Sequence, residues 1–382
     1  MYKHYLEIFG YIIFIFCLVH PILGKVFFYQ SDKNYKKEEK KYFNFYNFFR
    51  GVATVAVIFN HTHYYRKYYY QNDFSDVILQ TLNNTLKFSV AGFIIISAFF
   101  IAKKATFWQF WKNKLHRVYI PYIIIATIGY FYKYGVNNFE FYEYLYEIIF
   151  GKVFGPYYFM VLIFQIYFLY DIGFFLIKQS RYLSYAFFYI CIFITAYTNF
   201  SDISWLPKLF VLPEWYQHIS ILNYAIYIGF GFHISHFMRN PSFLKEFYTP
   251  KVIKSYRILA ILFIFLMTIR IFIIREKVIN TLSFLPIIFF IWICGEGYII
   301  ETQKNIGKLR NIFFEMFCWI GKNSMGTYLI HPFILYIIWK IQIANFGGPT
   351  IGFISVFVIN IFLSLGVWVV YKKLLNLIGI KA

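Results

Sequence analysis

The chain has 382 residues, of which 60% are hydrophobic and only 14% charged, with a mean hydropathy of +0.56. So small a polar fraction cannot cover a soluble fold of this length, which leaves a polytopic membrane protein. The formal charge of +20 is split into short basic clusters between apolar runs, the pattern of membrane topology, and no nucleic acid is expected as a partner.

A hydrocarbon core of about 30 Å takes roughly 20 apolar residues per helix. In chain order, spans are predicted over residues 6–28, 44–64, 86–102, 118–134, 157–178, 182–199, 219–238, 256–275, 281–300, 317–339 and 351–371. The expected fold is all-α, a polytopic transmembrane helix bundle. The first span has a long aromatic core and no small-residue cleavage site, so it reads as an uncleaved anchor. Residues 1–41 are therefore expected to form an N-terminal anchor with a basic linker, and residues 42–382 a single membrane domain.

The stretch "SDKNYKKEEKK" (31–41), the segment holding Lys103, Lys104, Lys112, Lys114 and Arg117, and the loop from Arg239 to Arg257 are strongly basic. They alternate with loops carrying Glu140, Glu143 and Glu147, or Asp202 and Glu214. Positive loops mark the cytoplasmic side, which places residues 31–41 and the C-terminal tail on the cytoplasmic side of the cell membrane and the extreme N-terminus outside. Cys17, Cys191, Cys294 and Cys318 lie in apolar segments at spacings that suit neither a metal nor redox chemistry, so they read as core and no metal is expected. Glu296 reads as an interfacial carboxylate and Asn83-Asn84-Thr85 as a glycosylation acceptor only in a eukaryotic secretory setting.

Ionisable residues at membrane depth need a partner or a function. The second span carries three, Arg50, His61 and His63. Arg50 would sit about 9 Å from the inner face and His61 about 25 Å, and their eleven-residue interval leaves them about 20° apart around the helix. His63 is rotated to about 140° from that face, so the two histidines are not equivalent. An Arg can hold the phosphates of a cytoplasmic donor, and a neutral imidazole can take a proton from an acceptor hydroxyl. A snorkelling Arg with an interfacial His is the structural alternative. A second polar stripe lies in "WIGKNSMGTYLIHPFILYIIW", where Ser324, Tyr328 and His331 share a helical face and Pro332 frees a backbone carbonyl.

These residues resemble the membrane-bound acyltransferase-3 family, whose members O-acylate extracytoplasmic glycans. The resemblance rests on "RGVATVAVIFNH" with Arg50, Gly51 and His61, on "FSVAGFIIISAFFI" with Ser97, and on "KNKLHRVYIPY" with Lys114, Arg117 and Pro121. It continues in "GPYYFMVLIFQIYFL" with Tyr158 and Phe159, and in "SMGTYLIHP" with Ser324, Tyr328, His331 and Pro332. Ala98 stands where the family usually has Gly, no Trp accompanies Tyr158, and Met325 replaces a Tyr.

The resemblance implies a ten-helix acyltransferase core with one extra N-terminal span. It also implies that acyl-CoA, with acetyl-CoA as the expected donor, is a co-substrate while no cofactor stays bound. The donor's phosphates would meet Arg50, Lys114 and Arg117. His61 would act as general base on a glycan hydroxyl, or as nucleophile through an acyl-imidazole. Ser97, Tyr158, Ser324, Tyr328 and His331 would line the cavity, with Ser97, Tyr328 or His331 available to steady an oxyanion. Expected partners are acyl-CoA, an extracytoplasmic glycan, membrane lipids and proteins of polysaccharide biosynthesis. The competing readings are a translocator of lipid-linked glycan, which uses a polar interior without covalent chemistry, and a structural partner of a polysaccharide synthase.

Overall fold

The computed structural model describes residues 44–66, 74–101, 106–169, 181–200, 220–235, 237–238, 240–274, 284–303, 307–341 and 348–377. The first predicted span and the 1–41 unit lie outside them. Among the described residues there is no strand. The helices are α1 (Phe45–Arg66), α2 (Phe74–Leu86), α3 (Phe88–Ile101), α4 (Phe107–Lys114), α5 (Ile120–Tyr134), α6 (Phe141–Ile149), α7 (Tyr158–Phe168) and α8 (Arg181–Phe200). They continue with α9 (Ala225–Ile234), α10 (Pro241–Phe247), α11 (Pro250–Ile274), α12 (Leu285–Thr302), α13 (Lys308–Lys322), α14 (Ser324–Lys340) and α15 (Gly348–Leu377).

Among the described residues, four stretches are long and apolar enough to cross a membrane: Ile78–Phe100, Pro250–Ile269, Leu285–Thr302 and Ile351–Leu377. Shorter apolar helices cover Gly155–Phe168, Tyr182–Thr198 and Ile221–Ile234. One apolar core runs through the bundle, built largely from aromatic rings such as Phe45, Phe49, Phe88, Phe99, Phe230 and Phe290. Rings of this size fill the space between helices with few rotamers to freeze.

The structure departs from the predicted spans in two places that matter. The span predicted over 317–339 is broken. Asn323 ends α13 by donating its side-chain amide to the Trp319 carbonyl at 2.9 Å. Its own carbonyl opens α14 by accepting from the backbone and hydroxyl of Thr327. Asn competes with the helix ladder in this way wherever its side chain reaches a nearby backbone group. The span predicted over 86–102 begins earlier, because α2 leads into α3 with only a turn at Lys87 between them. The Asn83 sequon therefore lies inside a helix, not on a loop.

Two glycines set the position of α1. A Cβ on Gly51 would fall 2.0 Å from the Phe317 carbonyl oxygen, and one on Gly321 would fall 1.9 Å from that of Asn47. Helices α1 and α13 thus touch backbone to backbone, a contact that only glycine on both sides permits. The Ala98 departure has a similar explanation. A Cβ on the facing Gly231 would come within 2.7 Å of the Ala98 Cβ, so α9 supplies the glycine that lets α3 carry alanine.

Candidate active site

The amino end of α1 is held by a residue the sequence did not single out. Glu301, at the end of α12, accepts from the backbone N–H groups of Asn44 and Phe45, both at 3.0 Å. A carboxylate there satisfies two orphan donors and complements the positive end of the helix dipole. Tyr46 adds a hydroxyl bond to the Met238 carbonyl at 2.5 Å. With its amino end pinned and its Gly51 face seated on α13, α1 presents Arg50 and His61 to α14.

Arg50 Nη2 donates to Ser324 Oγ at 2.8 Å, and His61 Nδ1 meets His331 Nε2 at 2.8 Å. Both contacts advance in the same direction along α1 and α14, so the two helices are parallel. The eleven residues from Arg50 to His61 rise about 16 Å, whereas the seven from Ser324 to His331 rise about 10 Å. The long Arg50 side chain takes up the difference.

The chemistry of the His pair follows from Pro332. In a regular helix the Tyr328 carbonyl would receive the N–H of residue 332, and proline has none. The vacant acceptor is taken by the His331 ring, whose Nδ1 lies 2.7 Å from the Tyr328 oxygen. A carbonyl can only accept, so His331 carries its proton on Nδ1 and offers a lone pair at Nε2. His61 must then donate through Nδ1, which leaves the lone pair of its own Nε2 for other work. His331 is fully buried, whereas His61 keeps part of its surface accessible. The uncommitted basic nitrogen of the pair therefore belongs to His61.

The remaining candidates fall into two groups. Tyr328 is buried with its hydroxyl donated to the Pro156 carbonyl, and Tyr157 returns a bond from its hydroxyl to the Leu329 carbonyl at 2.8 Å. This reciprocal clasp ties the turn before α7 to α14 beside His331, and Tyr157 is a residue sequence reasoning passed over. With its proton given to Pro156, Tyr328 acts here as a clamp. Tyr158 on α7 is half-buried against the aromatic core, and Ser97 is half-buried on α3 next to the Ala98–Gly231 crossing.

Lys114 and Arg117 lie elsewhere. A π-helical turn, Leu115–Tyr119, joins α4 to α5, and such an insertion re-aims the side chains around it. The Lys114 ammonium stands 4.2 Å from the centroid of Tyr167 and 5.3 Å from that of Phe110, while Arg117 is exposed. Glu296 is no lone interfacial carboxylate. It pairs with Arg257, accepts from Trp292 Nε1 at 3.0 Å and meets Arg310 at 3.3 Å. That cluster braces α11, α12 and α13 against one another. No group of three or more metal-ligating side chains occurs among the described residues.

No curated protein and no solved structure matches the chain. The family model described as an acyltransferase domain matches residues 43–371, which takes in α1 with its Arg50–His61 pair and α14 with Ser324 and His331. Covering most of the chain, that match shows that the protein belongs to the acyltransferase-3 family.

Proposed function

We propose that the protein is an integral membrane O-acyltransferase of the cell membrane, with its C-terminus cytoplasmic, that moves an acetyl group from cytoplasmic acetyl-CoA to a hydroxyl of an extracytoplasmic glycan. The observation that carries this reading is the hydrogen-bonded order Tyr328 carbonyl, His331, His61, which leaves a basic Nε2 on His61 in line above Arg50. Arg50 supplies a cation for the donor's phosphates. Ten crossings of the 42–382 unit, with α1 running outward, put Arg50 toward the cytoplasm and His61 toward the outside.

In the reaction, His61 Nε2 takes the proton of a sugar hydroxyl as its oxygen attacks the thioester carbonyl. The carbon–sulfur bond breaks, the coenzyme leaves as thiolate and recovers the proton, and an acetyl ester remains on the sugar. His331 accepts the His61 Nδ1–H throughout, so it holds the ring in one tautomer and steadies the imidazolium. A base of this kind is worth about 10²- to 10⁴-fold in rate.

The test is the alkali-labile ester on the surface glycans of the producing cell, measured by NMR in wild type, His61→Ala, His63→Ala and a null strain at equal protein levels. His61→Ala is expected to match the null and His63→Ala to stay near wild type. Unchanged ester in every strain, with less exported glycan in the null, would replace this reading with the translocator.

A further inference from the structure

Away from the polar face of α1, a groove of about 630 Å³ opens between α1, α12 and α13, lined by Phe48, Ile300, Leu309, Phe313, Phe314 and Phe317. The ring of Phe48 stacks on that of Phe314 there, with centroids 5.3 Å apart. Phe48 and Arg50 stand about 200° apart around α1, so the groove and the Arg50–Ser324 contact lie on different sides of that helix. Leu309 and Phe313 are 68% and 50% exposed. An apolar groove of this kind is costly to leave to water, whereas in a bilayer an acyl chain fills it.

The contacts of α13 with α1 fix the level of the groove. Asn44 and Asn47 meet Cys318 and Gly321, and Phe48 and Gly51 meet Phe314 and Phe317. Each series advances in the same direction, so α1 and α13 run parallel. Lys308 comes about 9 Å before Phe314, and Phe48 only about 4.5 Å after the start of α1. Lys308 therefore reaches past the amino end of α1, to the membrane surface on that side. It lines the groove together with Arg310 and pairs with no carboxylate among the described residues. Arg310 shares Glu296 with Arg257, so three cations face one carboxylate. Glu301 is committed to the N–H groups of Asn44 and Phe45, and Glu315 lies about 10 Å further along α13 than Lys308. Surplus positive charge at the edge of an apolar groove matches a molecule with an anionic head and an apolar tail.

We propose that the groove binds an anionic phospholipid of the cytoplasmic leaflet, with an acyl chain along Phe48, Phe313 and Phe317 and the phosphate at Lys308 and Arg310. Each cation at the surface favours an anionic headgroup about fivefold. The lipid also reaches the reaction through α13. That helix ends at Asn323 and leads directly into Ser324, the partner of Arg50. A filled groove holds α13 against α1, and with it the Arg50–Ser324 contact. Only the orientation of α1 is taken from the acyltransferase reading, and the binding itself does not depend on the reaction.

The experiment uses the purified full chain in detergent and reads its melting temperature as dioleoylphosphatidylglycerol, dioleoylphosphatidylcholine or glycerol 3-phosphate is added. Phosphatidylglycerol should stabilise at a concentration about tenfold lower than phosphatidylcholine. Glycerol 3-phosphate, which has the anion without the chains, should not stabilise. Gly307→Trp plugs the groove, because Gly307 lines it, its φ of −52° suits any residue, and a Cβ there meets nothing within 4 Å. That variant should raise the phosphatidylglycerol midpoint about tenfold with the lipid-free melting temperature unchanged. Lys308→Gln should raise the same midpoint about fivefold and leave that of phosphatidylcholine alone, and Lys308→Arg should behave as wild type. Equal midpoints for the two lipids, stabilisation by glycerol 3-phosphate, or an equal effect of Lys372→Gln with Lys373→Gln on α15 would each overturn the site. So would a melting temperature that follows protein concentration instead of lipid, which would make the groove an interface between two copies. Acetyl transfer is read separately, so its absence with lipid binding intact would remove the acyltransferase reading and leave the lipid site standing.

Discussion

Two buried histidine environments in this molecule look alike in exposure and differ in chemistry. His233 on α9 is 1% exposed and enclosed by rings. Phe188 stacks on it at 5.4 Å, Tyr185 lies at 4.7 Å and Phe237 meets it edge-on at 5.2 Å. His331 on α14 is as deeply buried, yet its two nitrogens are committed in order, one to a carbonyl freed by proline and the other to His61. Burial alone does not mark a histidine for proton transfer. For His331 the carbonyl held by one nitrogen decides which nitrogen is basic and where it points.

Substitutions sharpen that contrast in descending order of effect. His61→Ala should remove the basic nitrogen and lower glycan esterification by about 10²- to 10⁴-fold, read as ester content at matched protein level. Gly51→Ala comes next. Its methyl would collide with the Phe317 carbonyl, so α13 must shift and Ser324 with it. A loss of about 3 kcal/mol in stability is expected by overpacking, seen as a lower melting temperature together with lost activity.

His331 is a positioning residue in this scheme. Its change to Ala should lower kcat by about 10- to 100-fold with little change in either KM. His331→Gln, which retains an acceptor for the His61 Nδ1–H, should recover part of that loss. Equal activity of the Ala and Gln variants would break the relay argument. Ser324→Ala removes one hydrogen bond to a charged group, a contact worth about 1.5–3 kcal/mol, and should raise the KM for acetyl-CoA severalfold at near-normal kcat. His233→Phe, set among rings already, should leave activity within twofold. A loss there comparable to that of His331→Ala would dissolve the comparison.

The membrane class, the approximate place of most described helices and the Arg50–His61 face were legible from the chain because each depends on local pattern. Apolar length marks a span, and helical period decides which side chains share a face. The same reasoning found Ser324, Tyr328 and His331 on one stripe, and it recognised that Pro332 would free a carbonyl. It did not reach the break at Asn323, since an Asn among apolar residues reads equally well as part of one span. Glu301 and Tyr157 were also out of reach. Their partners are Asn44, Phe45 and Leu329, hundreds of residues away or on an unrelated helix, and nothing local announces them.

Composition and periodicity thus settled that this is a helical membrane protein with a cation and an imidazole on one face of α1, since those are properties of a single helix and its solvent. Only the packed bundle decided what that face meets. It brought Ser324 to Arg50 and His331 to His61, and let glycine on two helices close the α1–α13 crossing. Contacts between segments far apart in the chain depend on how whole helices fit together, and that fit is set by side-chain volume and backbone approach at every interface at once.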